Sequence, residues 1–211
     1  MSDDIDLLSA WRAGERQAGE ALFERYFEPV SRFFINKVPD DHEDLIQETF
    51  AACAGGRDRL RDDSSFRSYL FGIAYNVLKR YYRRKAGPKQ TSSLDSCSAN
   101  DLSPGPSTLM QEHERESLLL EALRRIPVEL QVVLEMHYWE RMRSPEIAGA
   151  LGIPAGTVRT RMLRGRGRLA QLLSGPLAPR DSEDAQEADL DDWARRVRAL
   201  MEREPAPGGS R

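Results

Sequence analysis

Apolar residues recur at three- and four-residue steps along most of this chain, which is the spacing of one face of a helix. Leu8 and Trp11 start such a face, and Leu22, Phe23, Tyr26, Phe27, Val30, Phe33 and Phe34 carry it to about Val38, with Gly14 and Gly19 expected to divide it. Pro39, Asp40 and Asp41 punctuate the chain and can cap a second helix from His42 to about Ala54. Its inner side reads Leu45, Ile46, Thr49, Phe50 and Cys53, and its outer side Asp44, Gln47, Glu48 and Ala51. After Gly55-Gly56 and the polar loop RDRLRDDSS, a third pattern spans Phe66 to Lys85. There Phe66, Leu70, Ile73, Ala74, Val77, Leu78 and Tyr81 form the apolar stripe, while Tyr69, Asn76, Arg80, Arg83 and Arg84 occupy the remaining surface.

From Ala86 to about Thr108 all periodicity stops, and Gly, Pro, Ser and Asn dominate, the composition of a flexible linker. A second set of helices follows. Leu118, Leu119, Ala122, Leu123 and Ile126 share one face; Pro127 then fits the first turn of a helix whose Val133, Leu134, Met136 and Tyr138 supply core. Tyr138 and Trp139 are expected to pack on the helices that come next. The pattern predicts an all-α protein of two small helical domains, residues 1–86 and 109–174, joined by a linker over 87–108. Residues 175–211 form an acidic extension in which Leu190, Trp193, Val197, Leu200 and Met201 fall in helical register.

Within the second domain, Ser144 to Leu169 reads as a helix, a tight turn and another helix. Ser144 is a candidate cap, Pro145 suits the first turn, and Glu146 favours the positive end. Gly152 can close the first helix at positive φ, and Pro154 can open the second. Val158, Met162 and Leu169 point one way; Thr157, Arg161, Arg164 and Arg168 point another, with Arg159 and Thr160 close by. This is the layout of a helix-turn-helix whose second helix enters a major groove. Gly165 and Gly167 interrupt it and should each cost about 1 kcal/mol relative to alanine, loosening its last turns. An αα-hairpin with a solvated basic face is the plainer reading of this stretch alone.

Charge sharpens the picture. The net charge of -3 over 211 residues is unevenly spread: Arg141 to Arg168 holds seven arginines and one acid, and Lys79 to Lys85 five basic residues in seven. Asp181 to Arg211 holds nine acids against five arginines. Local fields bind phosphates, so two basic segments matter more than the total. Exposed aromatics, an amide and arginines on the Phe66–Lys85 helix suit unstacked bases and their backbone. A core helix that ends in a basic tail, where cations favour the C-terminus, is the plainer reading of that helix alone. Cys53 and Cys97 lack metal-ligand spacing, and His42, His113 and His137 are scattered, so no cofactor, metal site or catalytic constellation is expected. No run is long and apolar enough to span a membrane, and MSDDID is no secretory signal, so a cytoplasmic location is expected.

Three stretches in this order, DHEDLIQETF, SSFRSYLFGIAYNVLKRYYRRK and EIAGALGIPAGTVRTRMLRGRGRL, resemble the small two-domain, extracytoplasmic-function group of bacterial sigma-70-type sigma factors. The resemblance covers roughly Ile5 to Leu173. It implies a non-enzymatic subunit that binds core RNA polymerase, recognises −35 and −10 promoter elements and promotes DNA opening. Asp44, Gln47 and Glu48 would face polymerase. Phe66, Tyr69, Asn76, Arg80, Arg83 and Arg84 would hold the −10 strand. Thr157, Arg159, Thr160, Arg161, Arg164 and Arg168 would meet the −35 duplex. Promoter DNA and core polymerase are the implied partners, with an anti-sigma factor as a further one. Tyr69 stands where the family often has Trp, and Arg143 where a capping Ser is usual. The competing readings are a free-standing helix-turn-helix regulator and an interaction adaptor that keeps the fold without the DNA contacts.

Overall fold

The computed structural model describes residues 3–38, 40–56, 65–86 and 114–172. The expected linker, Cys97, His113 and the acidic extension with Trp193 lie outside the described residues. Eight helices are present among them: α1 (Asp4–Arg12), α2 (Arg16–Ile35), α3 (His42–Gly55), α4 (Phe66–Ala86), α5 (Glu114–Arg125), α6 (Val128–Tyr138), α7 (Ser144–Leu151) and α8 (Ala155–Leu172). The all-α expectation holds in these two helical regions, α1–α4 and α5–α8.

In the first region the apolar stripes close on one another. Leu22, Val30, Phe34, Leu70, Phe71, Ala74, Val77 and Leu78 are completely buried, with Leu45, Ile46 and Cys53 of α3 against them. Gly14, at φ 103°, separates α1 from α2 as expected. Gly19 does not divide anything. It lies inside α2, where an added Cβ would come within 2.5 Å of the Trp11 indole, so its missing side chain lets α1 settle on α2. Burial pushes the Cys53 thiol up to about 12, which keeps it protonated and inert.

The central element is α6. Only one of its eleven residues, His137, is not buried, so the helix has no solvent face. Val128, Val132, Val133 and Met136 join the core of the first region, whereas Leu130, Leu134 and Tyr138 pack with Ala122, Leu123, Ile126, Trp139 and Leu169. Tyr138 and Trp139 are thus core, as their position before the helix-turn-helix suggested. The two regions meet along this helix and along α4 and α7.

Polar groups fix that meeting. Lys37, wholly buried at the end of α2, donates to the Phe33 carbonyl (2.7 Å) and pairs with Glu135 of α6. Gln131 donates to the other Glu135 oxygen (2.9 Å), and Tyr82 donates to the Lys37 carbonyl (3.0 Å). Burial pulls the Lys37 ammonium down and pushes the Glu135 carboxyl up, and their mutual attraction opposes both shifts. Such a pair adds little net stability but penalises any packing that separates its members. Arg67 donates to the Glu140 carbonyl (2.9 Å), and Arg32 bridges Glu28 (3.1 Å) and Glu140 (3.5 Å).

Candidate nucleic-acid interface

The helix-turn-helix is built from local rules. Arg143, not Ser144, is the N-cap of α7: its backbone N–H donates to the Glu146 carboxylate (2.8 Å) and its Nε–H to the same oxygen (3.1 Å). Glu146 therefore does the capping that a hydroxyl at position 143 would share. Those bonds hold its carboxyl below the usual glutamate range, the backbone bond contributing most. Gly152, at φ 66°, ends α7 in the left-handed conformation, and the Pro154 carbonyl accepts from Thr157 (2.9 Å) and Val158 (3.2 Å) to start α8.

On α8 the buried residues are Val158, Met162, Gly165 and Leu169. Arg159, Thr160, Arg164 and Arg168 are exposed, and Thr157 is half-buried. The Thr160 hydroxyl donates back to the Gly156 carbonyl (3.0 Å), which fixes its rotamer on the outer face. Arg161 departs from the expectation. Its guanidinium pairs with Glu129 of α6, and the two side chains are 18% and 11% exposed. Arg166 likewise turns inward, its guanidinium over the Tyr138 ring at 5.6 Å. Gly165 is more than a weak helix former: an added Cβ would lie 2.9 Å from Leu134 Cδ1, so α8 rides close on α6 at this point. The helix runs unbroken through Gly167 to Leu172.

The second basic surface lies on α4. Asn76, Arg80, Arg83 and Arg84 are exposed along one side, and Tyr69 is half-buried at the same helix's start. Phe66 is 2% exposed and meets Tyr26 edge-on at 5.3 Å. It shapes this surface only from beneath, because a ring so enclosed offers no face to a base. At the far end Tyr81 donates to Asp41 (3.0 Å), and Lys85 pairs with the same carboxylate (3.3 Å). The Tyr81 bond first and Lys85 second hold the Asp41 carboxyl below its ordinary value.

On α3, Asp44 and Gln47 are exposed, and the half-buried Glu48 pairs with Arg80 (2.7 Å). Beside them Phe23, Glu24, Phe27, Ile46, Gln47 and Phe50 line an open apolar groove of about 540 Å³. Phe27 is 50% exposed there and stacks on Phe50 at 6.2 Å. The acidic, aromatic surface of α3 therefore adjoins the basic surface of α4 through the Glu48–Arg80 pair. Among the described residues no group of His, Cys, Asp and Glu could hold a metal ion.

Residues 22–87 match the family described as Sigma-70 region 2, and residues 116–169 that described as Sigma-70, region 4. The ECF RNA polymerase sigma factor SigM of Mycobacterium tuberculosis is 31% identical over 173 residues, covering 81% of this chain and 84% of that protein. The chain belongs to the ECF sigma factors. The ECF RNA polymerase sigma-E factor of Escherichia coli is 27% identical over 175 residues, or 79% of this chain and 91% of that protein. CnrH, solved in complex with the cytosolic domain of CnrY, shares the fold at a TM-score of 0.58 and 23% identity, covering 81% of this chain and 96% of that one. As an ECF sigma factor the protein serves transcription initiation and is a non-enzymatic subunit of RNA polymerase. Sequence reasoning about this sigma factor placed Tyr138 against the helix-turn-helix but overlooked Glu129 as the partner of Arg161 and the Tyr138 ring as the seat of Arg166. One signal was legible: an otherwise apolar helix carrying Glu129, Gln131 and Glu135 must pair those groups if it is buried on all sides.

Proposed function

We propose that the exposed edge of α8, with Thr157, Arg159, Thr160, Arg164 and Arg168, reads the −35 element as duplex. The exposed side of α4, with Tyr69, Asn76, Arg80, Arg83 and Arg84, holds the opened −10 strand. Asp44, Gln47 and Glu48, with the aromatic groove next to them, dock core RNA polymerase. The observation that carries this reading is the disposition of α8: three arginines and a threonine stand exposed on the second helix of a helix-turn-helix. That is where base edges and phosphates are met in a major groove. A free-standing regulator needs neither the acidic docking face nor the aromatic–arginine helix.

The domain boundaries at 1–86 and 109–174 belong to the same proposal, as does a cytoplasmic location, which work on promoter DNA requires. No helix among the described residues is long and apolar enough to cross a membrane. An anti-sigma partner is proposed on a narrower basis. CnrH was solved with a partner's cytosolic domain, and the RpoE of Bartonella quintana, with the anti-sigma factor NepR, has the same fold at a TM-score of 0.58 and 21% identity, covering 74% of this chain and 97% of that one.

Run-off transcription with core polymerase on genomic fragments tests the whole reading. Asp44→Arg with Gln47→Arg should abolish binding to core while leaving the melting temperature unchanged. Glu48 is spared because its loss would also release Arg80. Arg164→Ala should weaken promoter duplex binding by about 1–3 kcal/mol if it makes a bidentate base contact. Equal binding of promoter and random duplex by the unaltered holoenzyme would refute the recognition-helix assignment.

A further inference from the structure

We infer that Arg161 and Arg166 are positioning residues that set the roll of α8 about its own axis, and so decide which of its side chains face DNA. The inference rests on reading α8 as the duplex-reading helix. Arg161 is anchored at the first turn of α6 by Glu129, and Arg166 at the last turn by the Tyr138 ring. At the helical period the two arginines stand roughly 140° apart around α8, and all four buried residues fall inside that arc. They therefore border the apolar stripe on its two sides. The reading set, Thr157, Arg159, Thr160, Arg164 and Arg168, lies outside the arc.

The apolar stripe alone holds roll weakly. At its middle is Gly165, which offers Leu134 and Leu130 a flat backbone surface instead of a side chain seated between ridges. Two polar attachments to opposite ends of α6, on opposite borders of the stripe, resist rotation in both directions. The tolerance is small. A roll of about 20° at a helix radius of 5–6 Å moves each reading side chain by about 2 Å, more than a hydrogen bond to a base edge survives. Phosphate contacts from long arginines tolerate such a shift, so the anchors govern specificity more than affinity.

The experiment uses the full chain reconstituted with core polymerase and measures affinity for promoter and for random DNA across a salt series. Glu129→Gln and Tyr138→Leu should each lower the promoter-to-random ratio about tenfold. Random-DNA affinity and the salt slope should stay unchanged, since no phosphate contact is lost. The charge-exchanged pair Glu129→Arg with Arg161→Glu should restore the ratio to within about threefold, because the link across α6 is remade. This pair also decides the matter if Glu129→Gln melts early: a folded exchange variant with an unrestored ratio overturns the inference. A direct reading role for Arg161 predicts the opposite. Glu129→Gln would then release the guanidinium and tighten DNA binding, and Arg161→Ala would lower the salt slope by about one; either result overturns the inference. Arg164→Ala separates the two levels. If it leaves the ratio unchanged, α8 is not the reader and both fall. If it lowers the ratio while Glu129→Gln does not, only the positioning role falls.

Discussion

The two basic helices of this sigma factor are held in different ways. Ten residues of α4 are buried, from Phe66 to Tyr82, with aromatic rings at positions 66, 71, 75, 81 and 82. Large rings locked between α2, α3 and the second region leave that helix one possible orientation, and its arginines follow as a consequence. Helix α8 buries four residues in a similar length, one of them a glycine. Its orientation depends on a glutamate and a tyrosine supplied by α6. A helix seated by rings carries its surface with it, whereas a helix on a narrow stripe needs polar attachments to present a fixed face.

Five variants break or sharpen this contrast, beginning with the strongest. Glu135→Ala leaves Lys37 buried without its carboxylate and should cost about 3–5 kcal/mol in urea unfolding. Lys37→Met with Glu135→Leu should recover most of that loss, because an apolar pair needs no desolvation. Gly72→Ala on α4 should cost about 1–3 kcal/mol. Its new Cβ would meet the Ala150 carbonyl oxygen at 2.8 Å, and backbone yields poorly. A neutral result would show that the α4–α7 contact is looser in solution than it is here.

Glu146→Gln should lower stability by about 1 kcal/mol at neutral pH through the weakened cap of α7. The sign with pH follows from the depressed carboxyl. Its contribution is complete above the ordinary glutamate value and is lost as the pH falls through the lowered folded value. Wild type and variant should therefore converge in acid, which parallel melts across that range would detect. The smallest effect belongs to Gly165→Ala on α8. Its Cβ meets the flexible end of Leu134, and the gain in helix propensity of about 1 kcal/mol offsets the contact, so stability should change by less than about 0.5 kcal/mol. Promoter specificity should nevertheless fall, since the added methyl pushes α8 off α6. An equal stability cost at Gly72 and Gly165 would erase the distinction drawn between the two helices.

Much of this was legible in the chain. The apolar stripes of α2, α3 and α4 supplied most of the first region's core, although they left out Phe71, Tyr75 and Tyr82 and included Phe27, which is 50% exposed. Gly152 and Pro154 placed the turn of the helix-turn-helix. The exposed positions of Asp44, Gln47, Asn76, Arg80 and Arg164 also agree with their place on the helical wheel. The departures share a cause. Phe66 was legible as apolar but not as wholly enclosed, because enclosure comes from Tyr26 on another helix. Gly19 and Gly165 looked like interruptions, and each is a point of close approach whose partner, Trp11 or Leu134, is distant in sequence. Arg161 looked like its neighbours on the wheel until Glu129 was placed opposite it.

Periodicity, capping and punctuation are properties of neighbouring residues, so the sequence by itself determined the helices, the turn and the two basic segments. Three motifs in a fixed order likewise determined the family. Which side chains at a stripe's border turn inward depends on what lies across from them. Only the tertiary structure decided that α6 has no solvent face, that Lys37 is sealed against Glu135, and that Arg161 and Arg166 of α8 turn back onto α6. The physical reason is range: a helix's own pattern fixes its buried face to within a residue or so, but a long guanidinium on the boundary goes to whichever partner, acid, ring or phosphate, the packed neighbours bring within reach.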